Sequence, residues 1–139
     1  MRKVIASFVH EAMNEEPVRI KILVGAVTLD AELKSTRTAK AIYDLLPVEA
    51  AVNAWGDEFY FKIPLIKDHR ETATLKVAVG DIAYWGNGQS VAIFFGRTPV
   101  STGADPVPAD RVNIVGKING DATALRSATG ASRIRIEKV

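Results

Sequence analysis

Gly80-Asp81-Ile82-Ala83-Tyr84-Trp85-Gly86-Asn87-Gly88-Gln89-Ser90-Val91-Ala92-Ile93-Phe94-Phe95-Gly96-Arg97-Thr98-Pro99 is the stretch from which the fold is read. Two strand-like segments, Asp81–Trp85 and Gln89–Phe95, flank Gly86-Asn87-Gly88, and a short glycine-rich interruption between such segments reads as a hairpin. Val91 to Phe95 is apolar without a break, the pattern of a central strand buried on both faces. These glycines do not make a phosphate loop, because such a loop opens a helix and this one opens a strand.

Upstream the same period-two logic holds. Val18, Ile20, Ile22 and Val24 alternate with Arg19 and Lys21, and Val27, Leu29, Ala31 and Leu33 alternate with Thr28, Asp30 and Glu32. Gly25-Ala26 between them suits a type II′ hairpin turn. Ala39, Ile42, Tyr43 and Leu46 fall on one helical face, with Ser35 as the expected N-cap and Pro47 as the stop. Val48–Trp55 and Glu58–Ile63 read as strands around a Gly56-Asp57 turn, Pro64–Glu71 as a polar loop and Thr72–Val79 as a further strand.

Downstream, residues 97–111 carry the proline, glycine and serine marks of a long loop. Val112–Ile118 is expected as a strand, Asp121–Ser127 as one or two helical turns, and Ser132–Val139 as the last strand. A series of about eight short strands with one main helix favours a closed, mostly-β barrel over a parallel α/β sheet.

Residues 1–17 stand apart from that pattern. Val4, Ile5, Phe8, Val9, Ala12 and Met13 fall at helix spacing, which fits an amphipathic helix able to dock on the barrel or on a second copy. An added strand fits the same residues. A secretory signal fits poorly, since the apolar run is short and His10, Glu11, Glu15 and Glu16 follow it.

Composition removes several function classes. Basic and acidic residues are interleaved, 10 and 10 in residues 1–70 and 8 and 6 in residues 71–139, so no basic stripe forms for nucleic acid. The absence of cysteine excludes disulfides, thiol catalysis and thiolate-ligated metals, and fits a cytoplasmic address. No apolar run approaches the length of a membrane span. His10 and His69, the only histidines, lack partners at ligand or triad spacing, so no metal site and no cofactor are expected.

Five segments together resemble a known family: Leu45-Leu46-Pro47, Trp55-Gly56-Asp57-Glu58-Phe59-Tyr60-Phe61, Gly80–Trp85, Ile93–Pro99 and Val112–Ile118. The family is one of small bacterial and archaeal proteins with a cyclophilin-like fold and no established activity, and the resemblance covers about residues 18–125. It implies a cyclophilin-like β-barrel as the domain of residues 18–139. Cyclophilins themselves isomerise X–Pro bonds with an arginine that polarises the prolyl amide, in a Phe-His-Arg-plus-apolar motif beside a Gln-Gly-Gly-Asp run. Here His69-Arg70 is the only His-Arg pair, it lies in the polar stretch Lys67–Glu71, and Gln-Gly-Gly-Asp is absent. The resemblance therefore implies the fold without that catalytic site.

The candidate pocket is built from seven residues: Trp55, Glu58, Tyr60, Asp81, Trp85, Arg97 and Asn113. On a strand, Glu58, Tyr60 and Lys62 face one way and Phe59, Phe61 and Ile63 the other, so the first set is free to line a groove while the second builds core. Asp81, Ala83 and Trp85 likewise oppose Ile82 and Tyr84. Glu58 and Asp81 in one cavity would push their pKa values apart and leave one as an acid; the structural alternative is a turn-forming Asp81 and a solvated Glu58. Arg97 stands where the resemblance implies proline, and is either a ligand-binding cation or an exposed loop charge. Asn113, between Val112 and Ile114, either faces a ligand or satisfies a neighbouring loop.

Three functions fit these residues. The leading one is a domain that binds a small molecule or peptide in an aromatic-lined groove without cyclophilin-type catalysis. The second is a prolyl isomerase with a diverged site, using Arg70 or Arg97. The third is an assembly module that forms homo-oligomers through residues 1–17.

Overall fold

The computed structural model describes residues 16–139. The extension expected at residues 1–17 falls outside the described residues, apart from Glu16 and Pro17.

The chain opens on an antiparallel hairpin, β1 (Val18–Val24) and β2 (Val27–Leu33), in register from Val18 opposite Leu33 to Val24 opposite Val27. Gly25, at φ +56°, supplies the left-handed residue at the first turn position, while Ala26 has no positive φ, as a type II′ turn requires. The alternation buries Ile20, Ile22, Val24, Ala31 and Leu33 and leaves the polar set outward.

Helix α1 (Arg37–Leu45) follows, and its cap is Thr36, whose hydroxyl accepts from the Ala39 N–H at 3.3 Å. The expected cap, Ser35, lies one residue too early. Thr38, Ala39 and Ile42 form the buried stripe, and Pro47 follows the end of the helix.

The remaining strands are β3 (Val48–Ala51), β4 (Asn53–Ala54), β5 (Glu58–Lys62), β6 (Ala73–Thr74), β7 (Asp81–Trp85), β8 (Ser90–Phe94), β9 (Val112–Ile118) and β10 (Arg133–Lys138). Their order is β3-β10-β1-β2-β9-β7-β8-β5-β4, with β6 paired to β9 outside that path. The path is not closed by hydrogen bonds between its ends. Its ends are instead consecutive segments of one strand: β3 pairs with β10, β4 pairs with β5, and only Val52 separates them. The expected closed barrel is therefore an open hydrogen-bonded path, and the expected strand Val48–Trp55 breaks at Val52, whose N–H donates to the Ser132 carbonyl.

A second departure is Thr72–Val79, expected as a full strand, of which only Ala73 and Thr74 join the sheet. Beyond them side chains take over the backbone donors: the Lys76 N–H bonds Thr74 Oγ1 and the Ala78 N–H bonds Asp81 Oδ2. Such local acceptors offer the backbone an alternative to the ladder. The helical turns near the C-terminus are a 3-10 segment, Ala122–Ala128, capped by Asp121.

Every residue of β8 is buried, as its apolar run implied. Its inward side chains Val91 and Ile93 join Phe59, Phe61, Ile82, Tyr84 and the β1–β2 residues in the barrel interior. Its outward side chains Ala92 and Phe94 join a second, smaller cluster with Ala83, Val77 and Val112. That outer cluster escapes water because the loop of residues 97–111 lies against it, with Thr98, Pro106 and Pro108 buried. The loop is held by the Asp57 N–H donating to the Arg97 carbonyl at 2.8 Å and by Thr98 Oγ1 donating to the Val107 carbonyl at 2.6 Å.

Candidate functional site

On β5 the strand period sends Phe59 and Phe61 inward and Glu58 and Tyr60 outward, beneath the covering loop. The register sets Glu58 opposite Phe94 and Tyr60 opposite Ala92 of β8, and Ala92 in turn opposite Ala83 of β7. The small Ala92 leaves space between the bulky Tyr60 and Trp85. The Tyr60 and Trp85 rings meet edge to face with centroids 6.4 Å apart. Trp55 and, from the loop, Pro108, Ala109 and Asp110 add to the lining of a cavity of about 220 Å³.

Local structure fixes each wall. The Trp55 N–H donates to the Glu58 carbonyl at 2.9 Å across the Gly56-Asp57 turn. Gly56, at φ +63°, lies so close to the Arg97 carbonyl and Pro99 that a side chain there would push the covering loop away. Gly88 lies against the Trp85 indole, where a Cβ would overlap the ring. Asp110 anchors the rim by accepting from Asn87 Nδ2 at 2.6 Å and from the Trp85 indole N–H at 3.4 Å.

Two carboxyls border the cavity and their surroundings drive them apart. Glu58 is only 8% exposed. Its Oε1 is buried without a hydrogen-bond partner among the described residues, and burial pushes its pKa up to about 7. Asp110 is held below the usual carboxylate range by its bonds from Asn87, the Arg111 N–H and Trp85, against a smaller opposing effect of burial, with Arg70 adding a favourable charge. One acid is thus poised near neutrality while its neighbour is ionised. Asp110 also borders an adjoining polar depression that contains Asp68, Arg70 and Arg111.

Four of the seven sequence-selected residues, Trp55, Glu58, Tyr60 and Trp85, meet at this one cavity. Asp81, Arg97 and Asn113 do not line it. The Asp81 carboxylate accepts from the Ala78 N–H at 2.8 Å and organises the turn that precedes β7. Arg97 is exposed and donates to the Ser101 carbonyl at 3.3 Å within the covering loop. Asn113 is 1% exposed and its amide is consumed by structure. Its Oδ1 accepts from the Thr72 N–H at 3.1 Å and Thr72 Oγ1 at 2.6 Å, and its Nδ2 lies 3.1, 3.0 and 2.9 Å from Thr38 Oγ1, Asp68 Oδ1 and Glu71 Oε1. This cluster ties α1, the loop of residues 64–72 and β9 together. For Glu71, burial opposes ionisation, but the bonds from Asn113, Thr38 and the backbone outweigh it and bring the pKa down to about 2.

The second carboxyl that lines the cavity is therefore Asp110 and not Asp81. Asp110 carries no sequence signal beyond its place at the end of a proline-rich loop, and only the docking of that loop brings it to the rim. Among the described residues no group of His, Cys, Asp and Glu could hold a metal ion, and no helix is long and apolar enough to cross a membrane.

A family model described as cyclophilin-like matches residues 18–137 of the chain. Among solved structures, the chain is similar to the hypothetical protein AF2241 from Archaeoglobus fulgidus, known from a solution structure. The two are 30% identical over 88% of this chain and 95% of that one, with a TM-score of 0.74. No curated protein matches.

Proposed function

The chain belongs to the cyclophilin-like family, and from that premise we propose that this member is a binding domain which takes a small molecule, or a side chain offered by a peptide, into the cavity on the outer face of β5, β7 and β8. The observation that carries this reading is the convergence on one space of Trp55, Tyr60, Trp85 and Glu58, whose buried Oε1 has no hydrogen-bond partner among the described residues. Three aromatic walls supply apolar contact, and a carboxyl without a partner leaves hydrogen-bonding capacity for an occupant. A volume of about 220 Å³ suits a single ring or a side chain. Larger ligands occupy roughly 300 Å³ or more.

Binding is favoured over prolyl isomerisation because Arg70 and Arg97, the two arginines available for polarising a prolyl amide, both lie outside this cavity. A cytoplasmic address, and homo-oligomers formed through residues 1–17, remain part of the same proposal. Trp55 and Trp85 are the only tryptophans, so the two indole N–H resonances report on the cavity directly. A screen of ring-bearing fragments and short peptides should yield ligands that shift both resonances, and Trp85→Ala should weaken them by about tenfold or more. Ligands that bind Trp85→Ala as well as the native protein, or a screen that moves neither indole, would refute the reading. A protease-coupled proline isomerisation assay should show no rate above the uncatalysed one.

A further inference from the structure

We propose that the cavity selects organic cations, an ammonium carried on a compact apolar body, with Glu58 as the counter-charge and the aromatic walls as the cage. The inference rests on the reading of the cavity as a ligand site and names the ligand's chemistry.

Charge is the first ground. Among the described residues no lysine, arginine or histidine borders the cavity. Among the described residues the other titratable groups that line it are Tyr60 on the strand of Glu58 and Asp110 from the covering loop. The other elements packed around it present Trp55, Trp85 of β7, Ala92 and Phe94 of β8, and Val112 of β9, all uncharged. An anionic ligand would meet two carboxyls and no cation. A neutral apolar ligand would leave Glu58 Oε1 as it is, buried and unpaired, at a desolvation penalty. An ammonium donates to that carboxyl and neutralises it.

The rings are the second ground. Trp55, Tyr60 and Trp85 border a space whose floor is Ala92 and Phe94. Aromatic faces attract a cation through the ring quadrupole, most strongly where water is excluded. Glu58 supports the same choice: a carboxyl near neutrality when the cavity is unliganded, with a pKa of about 7, must release its proton as the cation enters. Cation affinity then rises with pH until Glu58 is fully ionised.

The test uses three probes with one ring and three charges: benzylammonium, benzyl alcohol and benzoate, titrated while the two indole resonances are followed. At pH 8 benzylammonium should bind about tenfold or more tighter than benzyl alcohol, and benzoate should not bind. Its affinity should rise about tenfold between pH 6 and pH 8, with about one proton released per cation bound at the lower pH. Glu58→Gln should bring benzylammonium down to the affinity of benzyl alcohol, remove the pH dependence and leave benzyl alcohol binding in place. Asp110→Asn should lower cation affinity less and keep the pH dependence. Equal binding of benzyl alcohol and benzylammonium, or a preference for benzoate, would overturn the cation proposal and leave the ligand-site reading standing. If none of the three moves either indole, the ligand-site reading fails and the cation proposal falls with it.

Discussion

Asn113 and Glu58 are both polar side chains buried on strands of one sheet, and the molecule surrounds them in opposite ways. Around Asn113 every amide atom has a partner, drawn from Thr72, Thr38, Asp68 and Glu71. Around Glu58 one carboxyl oxygen has none among the described residues. A buried polar group with all its bonds made contributes rigidity and register, whereas one left open costs free energy until something binds it. The contrast separates a strut from a site more sharply than burial does, because both residues are buried.

The largest expected effect falls on the satisfied side. Asn113→Ala leaves the Thr72 N–H without its acceptor, opens a cavity and removes one donor from Thr38, Asp68 and Glu71, which keep their other bonds, so urea unfolding should show a loss of about 3 kcal/mol. A loss below about 1 kcal/mol would mean that the cluster is not the strut described here.

The next effect falls on the open side and has the opposite sign. Glu58 titrates near pH 4.5 when unfolded and near 7 when folded. Its contribution to stability is therefore whole below about pH 4.5 and is lost as pH rises through about 7. The loss amounts to about 3 kcal/mol for a shift of this size. Glu58→Gln should flatten that slope and leave the protein more stable than native at pH 8. A variant less stable than native at pH 8 would show that the Glu58 carboxylate has a structural partner after all, which breaks the comparison.

The smallest effect sharpens the comparison from the acid end. Glu71 is held down to a pKa of about 2, so the stability it lends is present above about pH 4.5 and is lost as pH falls through about 2. Because Glu71 is largely exposed, Glu71→Gln should lower stability at pH 7 by less than about 1 kcal/mol. The same variant should reduce the acid-side decline seen by circular dichroism between pH 4 and pH 2. Glu58→Gln should leave that decline unaltered, since the two carboxyls act at opposite ends of the pH range. A decline that responds to Glu58→Gln and not to Glu71→Gln would reverse the assignment.

Much of this was legible along the chain and part of it was not. The parity of β5 and β7 follows from a backbone period of two, so the inward set Phe59, Phe61, Ile82 and Tyr84 and the outward set Glu58, Tyr60 and Trp85 could be told apart from spacing alone. The double burial of β8 followed from its unbroken apolar run. The failures have local causes. Ser35 and Thr36 are both competent caps, and nothing in the sequence ranks them. Thr72–Val79 alternates like a strand, yet side-chain acceptors on Thr74 and Asp81 draw off its donors. Arg97 and Asp81 carry suitable chemistry at strand ends, but each is engaged in a turn of its own loop.

The sequence by itself determined the faces: which residues of each strand point to the core, where the hairpins turn, and that aromatics and a glutamate share the outward side of β5. Only the tertiary structure decided that this outward side is a cavity. That required the chain from Arg97 to Arg111 to fold back over Ala92 and Phe94 and to bring Asp110 to the rim beside Trp85. The physical reason is one of range. A strand's period is a property of adjacent peptides, whereas the meeting of a loop with a sheet face depends on contacts far apart in sequence. Along the chain Glu58 and Asn113 therefore look alike, and they differ only in what the fold places around them.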